Sequence, residues 1–239
     1  MRIITSGLVI RHADYGDYDR MVTLLTPRYG RLEAVARGCR RLKSPIVNAA
    51  ELFTSGEYTL FEKNGRYSIE QCQITDSFFD LRTDYDRLVH GVYWLRLLEA
   101  LIQPGIPADE AFMMTLRALA YLNYSRLDPV LITMAFEMHL MAIEGYPPRV
   151  DSCVVCQRPL DGQANFDPIR GGAACVHCAP TAQTISYGAR RIMYRLPATK
   201  FDSVEKLEGH PDWPEAARLF RAYIKQRVTI QEKFLPPLP

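Results

Sequence analysis

Between Ile3 and Thr75, apolar positions gather in short runs rich in β-branched and aromatic residues: Ile3 to Arg11, Arg20 to Thr26, Leu32 to Ala36, Leu52 to Phe61 and Tyr67 to Thr75. Such runs read as strands, because branched and aromatic side chains fit a pleated surface. Turn-forming residues separate them: Asp14-Tyr15-Gly16-Asp17, Pro27-Arg28-Tyr29-Gly30, and Asn64-Gly65, a pair that favours a type I′ hairpin. Five short strands in so little chain predict a small barrel, since closing a sheet on itself removes exposed edges. Gly7 and Gly56 interrupt strand patterns, where a bulge or a barrel corner fits.

From about Asp84 the period becomes helical. Leu88, Val92, Leu95, Leu98 and Ile102 recur at three- and four-residue spacing, and Pro104 ends the run. Pro107, at a first helical position, opens a second helix with Phe112, Leu116, Leu119 and Leu122 or Ala120 facing inward. Asp128-Pro129 is a cap-plus-proline start for a third, which carries Leu131, Met134, Met138 and Met141 and stops at Gly145 before Pro147-Pro148. Beyond a cysteine-bearing stretch, two more helical segments, about 184–195 and 214–230, are expected to pack on these three. No repeat of 20–50-residue period is present.

With 239 residues, 48% hydrophobic and 23% charged, the chain is excluded from the wholly disordered class and fits one large domain or two small ones. Its most apolar stretch, Val92 to Ile102, is broken by Arg96 and Glu99 and falls short of the ~20 residues of a membrane span. The segment Met1–Ile10 is too short for a secretory signal. Four of the six cysteines form two Cys-x-x-Cys pairs, which points to metal in a reducing compartment and makes the cytoplasm the expected location. The net charge of +2 advertises no nucleic-acid partner. Sorted along the chain it becomes a cancellation: residues 1–50 are net +5, 51–86 net −5, 87–148 net −2 and 149–201 net +4, while the remainder is neutral.

Cys153-Val154-Val155-Cys156 and Cys175-Val176-His177-Cys178 are 18 residues apart. Two such knuckles let four thiolates converge on one zinc at ~2.3 Å, and Gly162, Pro168 and Gly171-Gly172 between them suit a ribbon of short strands. Four sulfurs fill the coordination shell, so the expected zinc is structural. The competing readings are four unrelated buried cysteines, a redox pair, and His177 replacing Cys178. Cys39 and Cys72 read as small core residues.

The densest basic segment holds Arg28, Arg31, Arg37, Arg40, Arg41 and Lys43 against Glu33 alone, on the expected barrel and near Tyr15, Tyr18 and Tyr29. Cations follow a phosphate backbone and aromatic rings stack on unpaired bases, so the cluster is a candidate DNA-binding surface; the competing reading is a solvated face. A second basic segment, Pro168 to Phe201, contains no acid, and Arg190, Arg191 and Arg195 would extend the DNA track. Asp14, Asp17 and Asp19 read as a polar turn rather than a magnesium site. The histidines are scattered and phosphate-binding or nucleophile loops are absent, so no enzyme is indicated. A zinc nuclease or deaminase would need an open metal position and a His-x-Glu before the cysteines, which the chain lacks.

Two blocks of sequence resemble a known family. Asp14-Tyr15-Gly16-Asp17-Tyr18-Asp19-Arg20, Val22 to Thr26, Gly30 to Gly38 and Arg40-Arg41-Leu42-Lys43-Ser44 are similar to the N-terminal signature of RecO, the bacterial recombination mediator family. Phe136 to Pro148 leading into Cys153-x-x-Cys156, with Gly171-Gly172 before Cys175-x-x-Cys178, match its later signature; the likeness covers roughly residues 5–180. The resemblance implies an α+β protein: a five-stranded OB-fold DNA-binding domain at 1–80, a helical domain at 81–148 and 181–239, and a four-cysteine zinc ribbon inserted at 149–180. It further implies binding of single- and double-stranded DNA, annealing of complementary strands, partnership with RecR, and loading of RecA onto DNA coated by single-strand-binding protein. By position, Arg37, Arg40, Arg41 and Lys43 fall in the basic loop of the family's barrel, and Cys153, Cys156, Cys175 and Cys178 on the zinc ligands that some members have lost. Where relatives often carry arginines before the helix-signature phenylalanine, this chain has Met134 and Ala135, and the usual polar end is replaced by Phe234 to Pro239.

Taken together, these features give the expectation of a non-enzymatic DNA-binding mediator of recombinational repair, with one Zn2+ and no membrane partner. The alternative is a zinc-containing protein-interaction scaffold whose basic surface is incidental.

Overall fold

The strands are β1 (Arg2–Tyr15), β2 (Asp19–Thr26), β3 (Gly30–Ala36), β4 (Ser55–Lys63) and β5 (Arg66–Asp76); burial alternates along β3, whereas β1 and β2 carry continuous buried runs at 7–10 and 22–26. In the computed structural model, which describes residues 1–239, they close into a barrel in the order β1-β2-β3-β5-β4. Every pairing is antiparallel except the β3–β5 seam, which gives an OB-like arrangement. β1 serves both halves: Arg2–Leu8 pair with β4 and Leu8–Tyr15 with β2, and the register steps between Val9 and Arg11, where a bulge bends the strand. Gly7 faces Gly56 across β1 and β4, and a second step falls at Ser55/Gly56, as the glycine pattern predicts. Val9, Leu24, Leu32, Tyr58, Leu60 and Ile69 fill the interior. Leu52–Thr54, expected in the fourth strand, form a turn instead: Phe53 adopts φ +68°, is fully buried, and donates its N–H to Val9 O (3.1 Å).

The chain comprises two compact units, Met1–Leu119 and Ala120–Pro239. In the first, Arg82 anchors the exit from the barrel by donating to Leu52 O (2.6 Å), Thr54 Oγ1 and Ser77 O. α1 (Tyr85–Leu101) follows, capped by Asp84, whose carboxylate accepts from Arg87 N (3.2 Å). The expected apolar stripe is only part of what it buries: Leu88 and Val92 are half-exposed, whereas His90, Tyr93, Trp94 and Leu97 are buried beside Leu95 and Leu98. α2 (Asp109–Tyr124) starts two residues beyond Pro107, and Leu122 rather than Ala120 is the buried position.

In the second unit α3 (Pro129–Ile143) begins as its sequence predicts, with Asp128 Oδ1 accepting from Val130 N (2.7 Å), and every residue from Leu131 to Met141 is buried. Met134 and Ala135 are therefore core residues. Glu137 pairs with Arg221 of α5 (Trp213–Lys225) at 2.5 Å, both nearly inaccessible. Such a pair stabilises less than it orients, but losing one partner would strand a buried charge. The segment expected as a helix from about 184 divides: β8 (Gln183–Ile185) pairs with β6 (Ala164–Asp167), and α4 (Tyr187–Arg195) starts after the Ser186 cap. β-Branched Thr184 and Ile185 favour the strand, and the serine hydroxyl accepts Ala189 N (3.0 Å). β7 (Gly172–Cys175) completes a sheet of order β7-β6-β8. α5 stops at Lys225, short of the expected 230, before β-branched Val228, Thr229 and Ile230. No helix is long and apolar enough to cross a membrane.

Candidate nucleic-acid interface and metal centre

The two Cys-x-x-Cys turns meet. The sulfurs of Cys153, Cys156, Cys175 and Cys178 all lie within 4.8 Å of one another, and Cys175 Sγ is 3.9 Å from Cys153 Sγ and 4.0 Å from Cys156 Sγ. Four sulfurs tetrahedral about a metal at ~2.3 Å would stand about 3.8 Å apart, so the residues fit a single ion. Gly172 makes the approach possible: at φ +157°, a Cβ there would sit 1.9 Å from Arg149 O, where Ala173 N donates (2.7 Å). Burial alone would push the Cys153 thiol up, but the N–H groups of Cys156, Cys175 and Val155 aim at its sulfur and bring it down to about 6. The thiolate is the ligand form, so the backbone is already arranged for it. His177 is exposed and outside the cluster, Cys39 is buried in the barrel core, and Cys72 is half-buried.

The polar turn between β1 and β2 holds the basic loop that follows β3. Asp19 Oδ1 accepts Gly38 N (2.7 Å) and Tyr18 O accepts Arg40 N (3.0 Å). The Arg40 guanidinium reaches Asp17 O (3.2 Å) and Asp14 Oδ2 (3.2 Å), so much of its charge is already matched. Arg41 lies over the Tyr18 ring at 5.1 Å. Arg37 and Lys43 are exposed and make no ion pair, as does Arg28 in the β2–β3 turn. Arg31 differs: half-buried, it donates Nε to Ile102 O (2.6 Å), a structural contact. The six cations thus form no single patch.

A groove of about 890 Å³ runs between the β1–β2 turn and the β4–β5 hairpin, across the outer side of β3. Tyr15, Phe61 and Tyr67 supply rings; Arg37, Lys63 and Arg66 supply cations. In OB folds this is the side, with these two loops, that takes up oligonucleotides. Asp19 is the groove's carboxylate, and Gly38 N already occupies it. Charge counting misses Lys63 and Arg66 because they lie in a segment of net −5. The available signal is the hairpin: Asn64 and Gly65 take φ +53° and +74°, so a two-residue turn sets Lys63 opposite Arg66.

The second basic segment separates on folding. Arg190 is only 6% exposed, and its guanidinium donates to Leu160 O (2.8 Å) and Gly162 O (3.1 Å), tying α4 to the cysteine-bearing loop. It is not presented to a ligand, contrary to the expectation from sequence. Arg191 and Arg195 are exposed.

Comparison with known proteins places this architecture among relatives. Residues 1–78 match the model for the recombination protein O N terminal region, and residues 82–235 that for the recombination protein O C terminal region. The chain is 28% identical over 228 residues to the DNA repair protein RecO of Acetivibrio thermocellus, covering 94% of this chain and 91% of that one. It is 31% identical to the RecO of Alkaliphilus metalliredigens (94% and 93%) and 33% identical to that of Roseiflexus sp. (92% and 79%).

Proposed function

The chain belongs to the RecO family of DNA repair proteins, and from that premise we propose that it is a non-enzymatic mediator of recombinational repair. The barrel groove binds DNA: Arg37, Lys63 and Arg66 track phosphates, while Tyr15, Phe61 and Tyr67 offer faces to unpaired bases. That lining is the observation that carries the reading. Arg41 and Lys43, in the loop after β3, widen the field around it, whereas Arg28 lies at the far end of β3 and Arg40 is held back by Asp14. No ordered row of base-reading side chains accompanies the cations, so binding is independent of sequence. Holding two strands near one positive surface lowers their mutual repulsion and favours annealing. In this reading the protein acts with RecR to load RecA onto DNA coated by single-strand-binding protein. The four-cysteine centre takes one Zn2+, whose role is structural because sulfur fills every position.

Salt dependence of binding tests this directly. Neutralising about five phosphates gives a log–log slope near −3.5 on single-stranded DNA, and replacing Arg37, Lys63 and Arg66 by alanine lowers it by about 0.7 per cation. A slope near zero in the wild type, by fluorescence anisotropy, would sink the DNA reading in favour of a protein-interaction scaffold.

A further inference from the structure

The outer side of α4 carries a pattern that the barrel does not use. Tyr187, Arg191, Tyr194 and Arg195 recur at i, i+4, i+7 and i+8, which brings them to one side of the helix. Tyr187 and Tyr194 are 70% and 61% exposed, a high figure for rings that gain so much from burial. The side chains of Arg191 and Arg195 make no ion pair or hydrogen bond, whereas Arg190 donates to two carbonyls and lies 5.7 Å from the centroid of the Tyr187 ring. Beside them lies a groove of about 660 Å³ lined also by the buried Ile192 and Leu196 and the exposed Lys206. Its carboxylate, Asp212, accepts the Ser186 hydroxyl (2.9 Å).

We propose that this side of α4 and its groove form a second nucleic-acid site, specific for single strands. Unpaired bases stack on Tyr187 and Tyr194, and phosphates pair with Arg191, Arg195 and Lys206. Strand selectivity follows from the rings: in a duplex the base faces are already stacked on one another and only the backbone remains to the cations. The charge complementarity is one-sided, with three exposed cations and an occupied carboxylate, which suits a polyanion. The inference rests on the DNA-binding reading of the chain but not on the barrel groove. With it, each of the two units of one chain carries its own strand site, an arrangement suited to annealing.

The test uses a single-stranded oligothymidylate bearing 5-iododeoxyuridine, which crosslinks to aromatic side chains on irradiation. Crosslinks to Tyr187 or Tyr194 are expected in the full chain, and they persist in the Arg37→Ala/Lys63→Ala/Arg66→Ala variant. In that background Tyr187→Ala/Tyr194→Ala weakens single-strand binding at least fivefold and leaves duplex binding unchanged, while Tyr187→Phe/Tyr194→Phe keeps the affinity. Crosslinks confined to the barrel, with affinity unchanged by Tyr187→Ala/Tyr194→Ala, overturn the second site and leave the barrel reading standing. No crosslink and no binding anywhere overturns both. Protection of the two tyrosines by an acidic peptide but not by the oligonucleotide assigns the groove to a protein partner and equally overturns the proposal.

Discussion

The barrel and the cysteine module are both small β structures, but they are held by different forces. In the barrel, strands of seven to fourteen residues hydrogen-bond around a closed circle and enclose Val9, Leu24, Leu60, Ile69 and other large side chains. The module's strands have three or four residues each, and four of its buried side chains are alanines, Ala164, Ala173, Ala174 and Ala179, beside Val150, Leu160, Phe166 and Ile185. A sheet that small buries little apolar surface of its own against its chain entropy, with Phe166 leaning on Tyr223 of α5. Four sulfurs converging within 4.8 Å would supply the missing stabilisation once a metal ion binds them, since without a cation four thiolates repel. Folding information is therefore spread over many positions in the barrel and concentrated in a few in the module.

Removing the metal ligands breaks the comparison most sharply. Cys153→Ser/Cys156→Ser is expected to abolish metal binding, an apparent ~10–16 kcal/mol in small zinc modules, and with it the order of residues 149–185. Hydrogen exchange is expected to show that stretch unprotected while the barrel strands keep their protection. A protected module without metal would show that its small core suffices.

A smaller effect comes from Arg190, which bridges α4 to the module through two carbonyls. Arg190→Ala leaves both without their charged donor and costs about 2–3 kcal/mol in urea unfolding, whereas Arg191→Ala stays within about 0.5 kcal/mol. Equal costs at the two positions would mean that the buried contacts contribute nothing to the module.

The smallest effect belongs to the barrel. Burial, and then the charge of Arg20, lower the pKa of His12 on β1 below its usual 6.5. Its neutral form is the one the fold accepts, so the contribution is complete above pH 6.5 and is lost as the pH falls through the lowered value. His12→Gln should flatten the decline in barrel stability as the pH falls below 6.5. An equally steep profile in the variant would remove His12 from the account.

Much of this was legible in the residues. Turn chemistry at Asn64-Gly65 and the Asp128-Pro129 cap located element boundaries because each acts through its own backbone. The cysteine spacing located the four-sulfur cluster because knuckle geometry is local. Less legible was which arginines remain available. Arg31 and Arg190 lie in basic segments, yet their partners are the carbonyls of Ile102, Leu160 and Gly162, which are distant in sequence. Lys63 and Arg66 were hidden by acidic neighbours that point elsewhere once the hairpin forms. Similarly, the stripe read on α1 could not reveal that His90, Tyr93 and Trp94 are buried too, since periodicity identifies one face and not how many are covered.

The sequence by itself determined a five-stranded barrel, a run of helices, a four-sulfur centre and the family, because alternation, capping and knuckle spacing are properties of neighbouring residues. Only the tertiary structure decided which cations face solvent, that Met134 and Ala135 are core, and that rings from three separate strands line one groove. A charge or a ring acquires its role from whatever folds against it, and those partners come from distant parts of the chain.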